Sequence, residues 1–524
     1  MIKRQKKNGL MLRFIQGVEK AGNKLPHPMY IFIWLLLGCM VISAVCAALG
    51  VEVTYLSAAS DGTVSEVTVA VRNLLGRSEL QNFFSNVVTA YKNMGVMIPM
   101  LIVSFCISIA DEVGFFEVAL RRILRGAPQK VIVFALCLAC ICANIAGDAG
   151  VVLAISFGSI LFKAMGRNPW IGVTLAYGSL QAGYCVNLLP TTNDITYAGI
   201  TDGIVKPLGY TVHAMSNYIF MFIVAWLLAL AFTFVCEKFL VPLFGDSTWS
   251  KAQTNPDSPQ NVFELSAEES RGLKFAGIGA GIYLLILVLW LLPIQGMPVL
   301  GFLRSPENKL FPTSPLLNSM IPLIGLLFLV TSIPFGIGAG KIKSKADIPP
   351  MMQKGAVKVA GFVFVLFWCS LFIYQFNYSN LATVLSKLGE QFLTSIHLTG
   401  LPLLIVYILI VAVINIFMYS SSAKWMILAP VFLPMFINLG IDPVMTQLAT
   451  RIADACTNGL TPLNAGLVLV LATMRQDYDP KFHSETPGLG SVISAQLPIS
   501  VASFLVQTVL FIVFYLFKIP FGIG

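Results

Sequence analysis

The sequence predicts an all-α polytopic membrane protein, with about nine transmembrane helices and two re-entrant hairpins in an inverted repeat. Three observations point there. Hydrophobic residues make up 56% of the 524-residue chain and charged residues only 11%, against about 25% charged in a soluble domain. Apolar runs of roughly 20 residues recur along it, the length a helix needs to cross a hydrocarbon core of about 30 Å. They are Leu- and Ile-rich and unbroken, unlike the alternating segments of a membrane β-barrel. Finally, polar residues cluster inside two apolar regions, Asn144–Pro190 and Asn415–Pro462; polar groups in such a setting are costly and mark functional sites by default.

The formal net charge of +9 is spread over short loops, so it reads as a topology signal and not as a nucleic-acid footprint. The lipid bilayer is the implied partner. The cysteines lie mostly in apolar runs, and Cys137, Cys140 and Cys142 have no His, Asp or Glu among them. Packing is expected there, and no metal site.

Seven basic residues from Lys3 to Lys24 precede the first span, Met29 to about Val51, whereas 52–91 holds only Arg72 and Arg77. The positive-inside rule puts the N-terminus in the cytoplasm and 52–91 outside, as in a multi-pass protein of the cell inner membrane. Span two, near 95–110, returns at Asp111 and Glu112, read as loop charges, where Arg121, Arg122, Arg125 and Lys130 cluster. Two short arms, 131–145 and 149–165, flank the flexible joint Asn144–Gly150. They predict a hairpin whose tip is buried in protein or faces water. Span three starts at Trp170 and breaks at 187–194, and span four covers about 213–234. Residues 245–270, rich in Ser, Asn and Pro, are read as a cytoplasmic linker between halves 1–244 and 271–524. The second half is expected to hold spans near 273–292, 317–340 and 357–377, then an interfacial helix at 381–393. A second hairpin at 401–438 turns around Tyr419–Lys424. An interrupted span at 443–474 and a last one at 494–518 follow.

The two polar regions match in order. Each has Asn-Ile at a hairpin tip, a Gly-x-x-Pro turn and a proline-broken helix; 46 residues separate Asn144 from Pro190 and 47 separate Asn415 from Pro462. Hairpins entering from opposite faces make an inverted repeat, which puts a binding site between the halves near mid-membrane. Half-helix N-termini there offer N–H groups to an anion, and unwound carbonyls can hold a cation. Asp148, Asp194 and Asp454 are the candidates for ion or proton coupling, and Arg451 for bidentate grip of a carboxylate. Asn187, Ser420, Ser421, Ser422, Trp425, Asn458 and Thr461 are candidates for contact with a small anionic substrate, with helix breaks at Pro190, Pro443 and Pro462.

Structural readings stand beside these. Arg451 and Asp454, three apart, fit a local ion pair; the serines fit close helix packing; Trp425 fits a headgroup anchor; Lys424 fits a side chain snorkelling outward. No G-x-x-x-x-G-K-[ST] loop occurs, which argues against ATP-driven transport in this polypeptide. An intramembrane serine hydrolase would need a base near the hairpin serines. Lys424 is the nearest, while His27, His213, His397 and His483 fall near span ends.

Ser-Ala-Lys-Trp at 422–425, the following Ile-Leu-Ala-Pro-Val-Phe-Leu-Pro-Met-Phe (427–436), Arg-Ile-x-Asp at 451–454 and Thr-Asn-x-x-Thr-Pro-Leu at 457–463 closely resemble the p-aminobenzoyl-glutamate transporter (AbgT) family. Ala-Asp-Glu-x-Gly at 110–114, Asp-Ala-Gly at 148–150 and Asn-Leu-Leu at 187–189 extend the resemblance over nearly the whole chain. It implies a bowl-shaped homodimer with nine helices and two hairpins per subunit, without a cofactor. It also implies uptake of p-aminobenzoyl-glutamate or a similar small carboxylate, coupled to H+ or Na+; the alternative is proton-driven export of sulfonamide-type antimetabolites. The family's functional positions fall on Asp194, Ser422, Trp425, Pro443, Arg451, Asp454 and Pro462, with Trp425 placed to stack on an aromatic ring. The chain departs from the family pattern at Asn464-Ala465-Gly466, after Thr461-Pro462-Leu463, and around Pro190–Asp194.

Overall fold

The computed structural model describes residues 28–58, 64–93, 97–125, 131–245, 264–292, 300–305, 315–478 and 486–523. The basic N-terminal stretch, most of the 245–270 linker, Lys481 and two of the four histidines, His27 and His483, lie outside the described residues. Helices dominate: α1 (Pro28–Ala48), α2 (Arg77–Lys92), α3 (Met97–Glu112), α4 (Phe115–Arg125), α5 (Ile132–Cys142), α6 (Gly147–Ala164), α7 (Pro169–Ala182), α8 (Thr192–Val205) and α9 (Tyr218–Val235) precede the linker. After it come α10 (Ala267–Leu291), α11 (Met320–Gly338), α12 (Ile348–Tyr378), α13 (Leu381–Ser395), α14 (Gly400–Phe417), α15 (Ser421–Asn438), α16 (Pro443–Asn458), α17 (Ala465–Gln476) and α18 (Leu489–Leu516).

Among the described residues six helices, α1, α9, α10, α11, α14 and α18, are long and apolar enough to cross a membrane, or seven if the bent α12 counts as one span. Helix α14, expected as a hairpin arm, meets that test by itself because its 18 residues carry no charge. The expected external segment holds structure that the sequence reading did not assign. Strands β1 (Glu52–Ala58) and β2 (Val64–Ala70) pair antiparallel with Thr54 opposite Thr68, and the two hydroxyls meet at 2.8 Å. In β2, Val67 and Val69 are half-buried while Glu66, Thr68 and Ala70 are exposed, the period-two signal of a half-buried strand.

One group of helices forms a frame: α11 packs on α3 and α10, and α12 on α1 and α3. Asp111 and Glu112, read from the sequence as loop charges, instead end α3 and pair with Lys358 and Lys354 of α12. Arg121 of α4 reaches Glu269 of α10 at 2.6 Å. These partly exposed pairs contribute little each, but they tie the frame together at one end.

The other group holds the helix pairs α5–α6 and α14–α15, expected from the sequence as hairpins, and the broken helices. The second arm of the first pair, α6, touches the following helix α7 backbone to backbone: a Cβ on Gly172 would lie 2.1 Å from the Gly158 carbonyl oxygen. The hairpin ends at Gly166 (φ 69°), where Arg167 N–H donates to the Phe162 carbonyl at 2.8 Å. Asn168 then accepts from Trp170 N–H and Pro169 starts α7. The second hairpin ends the same way, with Gly440 (φ 76°), Ile441 N–H donating to the Phe436 carbonyl, Asp442 accepting from Val444 N–H, and Pro443 starting α16. Glycine for a left-handed C-terminus and proline at a helix start each suit their positions. The frame meets this group where Ile195 of α8 packs among Val103, Cys106, Ile324 and Phe328.

Candidate functional site

Both broken helices are held open by side chains. Helix α7 stops at Ala182, and the chain runs through a turn at 183–185 and irregular backbone until Thr191 caps α8. Asp194 closes that cap: its Oδ2 accepts from Thr191 N–H at 2.6 Å and from the Thr191 hydroxyl at 2.8 Å. Asn187 Oδ1 accepts from Leu188 N–H, and its buried Nδ2 has no hydrogen-bond partner among the described residues. In the second break, the Thr461 hydroxyl donates to the Ile416 carbonyl at 2.8 Å, tying the Thr461-Pro462 turn to the end of α14. Asn464 donates to the Asn458 carbonyl and accepts from Gly466 N–H, capping α17. Gly466 leaves room for Tyr177, whose ring would lie 2.7 Å from an added Cβ. The departure at 464–466 thus supplies a cap and a close contact.

An asparagine at each hairpin tip binds the end of the adjacent broken helix. Asn144 Nδ2 donates to the carbonyls of Ile141, Leu180 and Gly183. Asn415 Nδ2 donates to the Asp454 carbonyl, the Thr457 hydroxyl and Asn458 Oδ1. Each tip stands in for hydrogen bonds that the helix loses where it breaks.

Four charges are sealed into this region. Arg451 Nη2 donates to Asp194 Oδ1 at 2.5 Å and to the Cys185 carbonyl at 3.1 Å. Lys424 Nζ donates to Asp454 Oδ1 and Asn415 Oδ1. The Ser421 hydroxyl donates to Asp454 Oδ2, which Asn458 Nδ2 also approaches at 3.4 Å. All four charged side chains are at most 2% exposed. Burying an ion costs several kcal/mol, so each of these side chains depends on its partner and hydrogen bonds together, and removing one partner costs about 3–5 kcal/mol.

An aromatic column continues from these charges. The Arg451 guanidinium lies 5.4 Å from the Tyr197 ring centre, and Tyr197 stacks on Trp425 at 6.0 Å and 19°. Trp425 Nε1–H donates to the Thr201 hydroxyl, which donates to Gln447 Oε1; Gln447 Nε2 donates to Asn217. Trp425 is fully buried, which rules out the headgroup-anchor reading, and one ring face is already taken by Tyr197.

Two further readings are corrected. Arg451 does not pair with Asp454: each reaches a different element, α8 and α15 respectively. Lys424 does not snorkel outward; it is 0% exposed, because Asp454 and Asn415 satisfy it inside. Ser421 joins the Asp454 network, Ser422 is half-buried in the first turn of α15, and Ser420 is exposed at its N-cap. Pro190 lies in the first break, Pro443 starts α16, and Pro462 lies in the second break. Asp148 lies in the first turn of α6, with its side chain outside the described residues. Lys424 hydrogen-bonds Asn415 and Asp454, and the described contacts hold no Ser–Lys hydrogen bond of the sort a hydrolytic dyad needs.

Sequence reasoning passed over one lining element. Gln496, Ser500, Ser503 and Gln507 of α18 are all buried and recur at spacings of 4, 3 and 4 residues. Gln496 donates to the Thr174 carbonyl, and Ser503 and Gln507 both donate to the Ala182 carbonyl at the end of α7. That helical period of polar residues in an apolar span was the available signal.

Two broken helices closed over paired charges, in a chain of membrane-length apolar helices, place the protein among polytopic membrane transporters. The chain belongs to the AbgT putative transporter family, whose model matches residues 13–524. It is 28% identical over 509 residues to the p-aminobenzoyl-glutamate transport protein of Escherichia coli (strain K12), covering 97% of this chain and 95% of that protein. Two solved structures share the fold. The Neisseria gonorrhoeae MtrF structure, described as illuminating a class of antimetabolite efflux pumps, has a TM-score of 0.87 at 28% identity, covering 96% of this chain and 98% of that one. The crystal structure of the Alcanivorax borkumensis YdaH transporter, described as revealing an unusual topology, has a TM-score of 0.83 at 29% identity, covering 95% and 100%.

Proposed function

We propose that the protein is an ion-coupled secondary transporter of p-aminobenzoyl-glutamate or a similar small carboxylate. The observation that carries this reading is the pair of buried salt bridges, Arg451–Asp194 and Lys424–Asp454, which join α16 to the first broken helix and to the second hairpin. A fixed membrane scaffold gains nothing from sealed ion pairs that apolar packing would replace at no loss. A transporter has a use for charges that can exchange partners when a hairpin or half-helix moves.

The residues inferred to meet substrate are Asn187, Ser420, Ser421, Ser422, Trp425, Arg451, Asn458 and Thr461, with Asp148, Asp194 and Asp454 on the coupling side. In the closed arrangement Arg451 is matched by Asp194, so it grips a substrate carboxylate by exchanging that partner. H+ is the first choice of coupling ion and Na+ the second. The equivalent hairpin turns and tip asparagines support halves at 1–244 and 271–524 in an inverted repeat; we further propose an inner-membrane homodimer, with the N-terminus placed in the cytoplasm by the distribution of basic residues. The whole-length similarity to the Escherichia coli protein supports the substrate. The likeness to MtrF favours a second reading, efflux of sulfonamide-type antimetabolites.

The test is uptake of radiolabelled p-aminobenzoyl-glutamate by proteoliposomes under imposed pH or Na+ gradients, in both directions, with a labelled sulfonamide in parallel. Uptake of p-aminobenzoyl-glutamate that vanishes in Arg451→Ala is the expected result. No flux under any gradient, or flux that Arg451→Ala leaves intact, overturns the reading; flux of the sulfonamide alone selects the second.

A further inference from the structure

We infer that an arylamine group of the substrate is read where the two breaks meet, by Gln181 at the end of α7 and Gln496 of α18, whose side-chain oxygens accept its N–H groups; this deepens the transport reading proposed above and rests on it. The two glutamines come to one place from distant parts of the chain. A Cβ on Gly459, the residue that caps the end of α16, would lie 3.6 Å from Gln496 Oε1 and 3.7 Å from Gln181 Cβ. Gln181 stands one residue before the end of α7, beside the first break, and Gly459 opens the second. Gln496 Oε1 also lies against Gly178, where an added Cβ would come within 2.5 Å of it. Two glycines thus flank this oxygen with bare backbone.

Both oxygens are buried acceptors without a donor. Gln181 and Gln496 are each 1% exposed, and neither Oε1 has a hydrogen-bond partner among the described residues. The orientation of Gln496 is fixed, because its Nε2 donates to the Thr174 carbonyl at 3.0 Å, where only an N–H group can serve. Packing alone does not account for this residue. Ser503 and Gln507, on the same face of α18, both donate to the Ala182 carbonyl, whereas Gln496 keeps an acceptor of a kind that buried structure normally satisfies. An uncharged N–H donor suits the pair, since neither glutamine carries a charge to offset the burial of an ion. A primary arylamine is such a donor, and both cargo classes considered above carry one: p-aminobenzoyl-glutamate, and sulfonamides built on p-aminobenzene. Gly459 lies eight residues beyond Arg451, about 12 Å of helix rise along α16. A carboxylate held at Arg451 and an amine held at the glutamines are therefore separated by the length of a ring and an amide. The two ends are not interchangeable, because acceptor oxygens repel a carboxylate.

Calorimetric titration of the purified full-length protein in detergent tests the site with matched ligands. These are p-aminobenzoyl-glutamate against benzoyl-glutamate and p-dimethylaminobenzoyl-glutamate, and p-aminobenzenesulfonamide against benzenesulfonamide. Wild type is expected to bind each arylamine about tenfold more tightly than the counterparts whose ring bears no N–H donor. Gln181→Met and Gln496→Met, which keep side-chain length and remove the acceptor, are expected to abolish that preference. Gly459→Ala is a third variant whose folding is not in question, since its backbone is helical (φ −75°) and its nearest new contact is at 3.6 Å; its methyl group is expected to reduce the preference by crowding the amine. No preference in wild type, a preference unchanged in either glutamine variant, or failure to bind either arylamine overturns the site. A protein that binds no p-aminobenzoyl-glutamate but prefers p-aminobenzenesulfonamide, and loses that preference in the glutamine variants, refutes the proposed substrate and supports the site. Equal binding and uptake of p-aminobenzoyl-glutamate and benzoyl-glutamate refutes the site and leaves the transport reading standing.

Discussion

The two hairpin and broken-helix regions share a frame and differ in charge. Asn144 reaches 39 residues ahead to Gly183, and Asn415 reaches 39 ahead to Asp454. At the same offset that carries Asn144 onto Asn415, Lys424, Arg451 and Asp454 fall on Leu153, Leu180 and Gly183. Three of the four sealed charges thus belong to the second region, and Asp194 is the first region's sole contribution. The tip asparagines solve a problem both regions have, the unpaired backbone at a break in a low-dielectric setting. The charges answer a need met once for the whole molecule.

The largest effect that sharpens this contrast comes from the charges. Arg451→Ala strands Asp194 and is expected to cost about 3–5 kcal/mol, read as a lowered melting temperature in detergent along with lost uptake. Arg451→Gln/Asp194→Asn is expected to recover most of the stability but not the uptake. If the double variant is no more stable than the single, the pair is not what holds these helices. Next in size, Gly150→Ala in the first hairpin would put a Cβ 2.1 Å from the Ala143 carbonyl oxygen. A backbone clash of that kind is expected to cost about 1–3 kcal/mol. Ser421→Ala, at the same offset in the second hairpin, is expected to cost less, and equal losses by thermal melting would contradict the difference in packing. The asparagines provide a direct comparison: Asn144→Ala gives up three hydrogen bonds to carbonyls, whereas Asn415→Ala also strips Lys424 of an acceptor. Asn415→Ala is expected to be worse by about 1–3 kcal/mol, the usual penalty for an unsatisfied buried group. Smallest of all, Trp425→Phe loses the bond to Thr201 but keeps an aromatic face against Tyr197. About 1 kcal/mol of stability is expected to go, and a larger drop would show that the column from Arg451 to Asn217 acts as one unit.

Much of this organisation could be read in the chain. Gly166 and Pro169, and Gly440 and Pro443, announced the hairpin ends because left-handed backbone and helix starts select those residues. The breaks at 187–194 and at Thr461-Pro462 were legible as polar, proline-containing interruptions of apolar runs. Partner choice was not. Arg451 and Asp454 sit three apart, which by itself favours a local pair, yet Asp194 and Lys424 compete for them from 257 and 30 residues away. Lys424 was misjudged for the same reason: a long cationic side chain near a helix end escapes to water unless a carboxylate is supplied inside. The β1–β2 hairpin was missed because its alternation is short and lies beside stronger membrane signals.

By itself the sequence determined the class, the membrane-length helices and the positions of the breaks, since hydropathy, length, glycine and proline act locally along the chain. It also determined the family, through the 422–463 motifs. Only the tertiary structure decided which buried charge meets which, that Trp425 lies against Tyr197 instead of lipid, and that Lys424 closes the space between Asn415 and Asp454. The physical reason is that a buried charge is tolerated only beside its partner, and the partner is supplied by whichever element packs there, at a distance along the chain that no local pattern encodes.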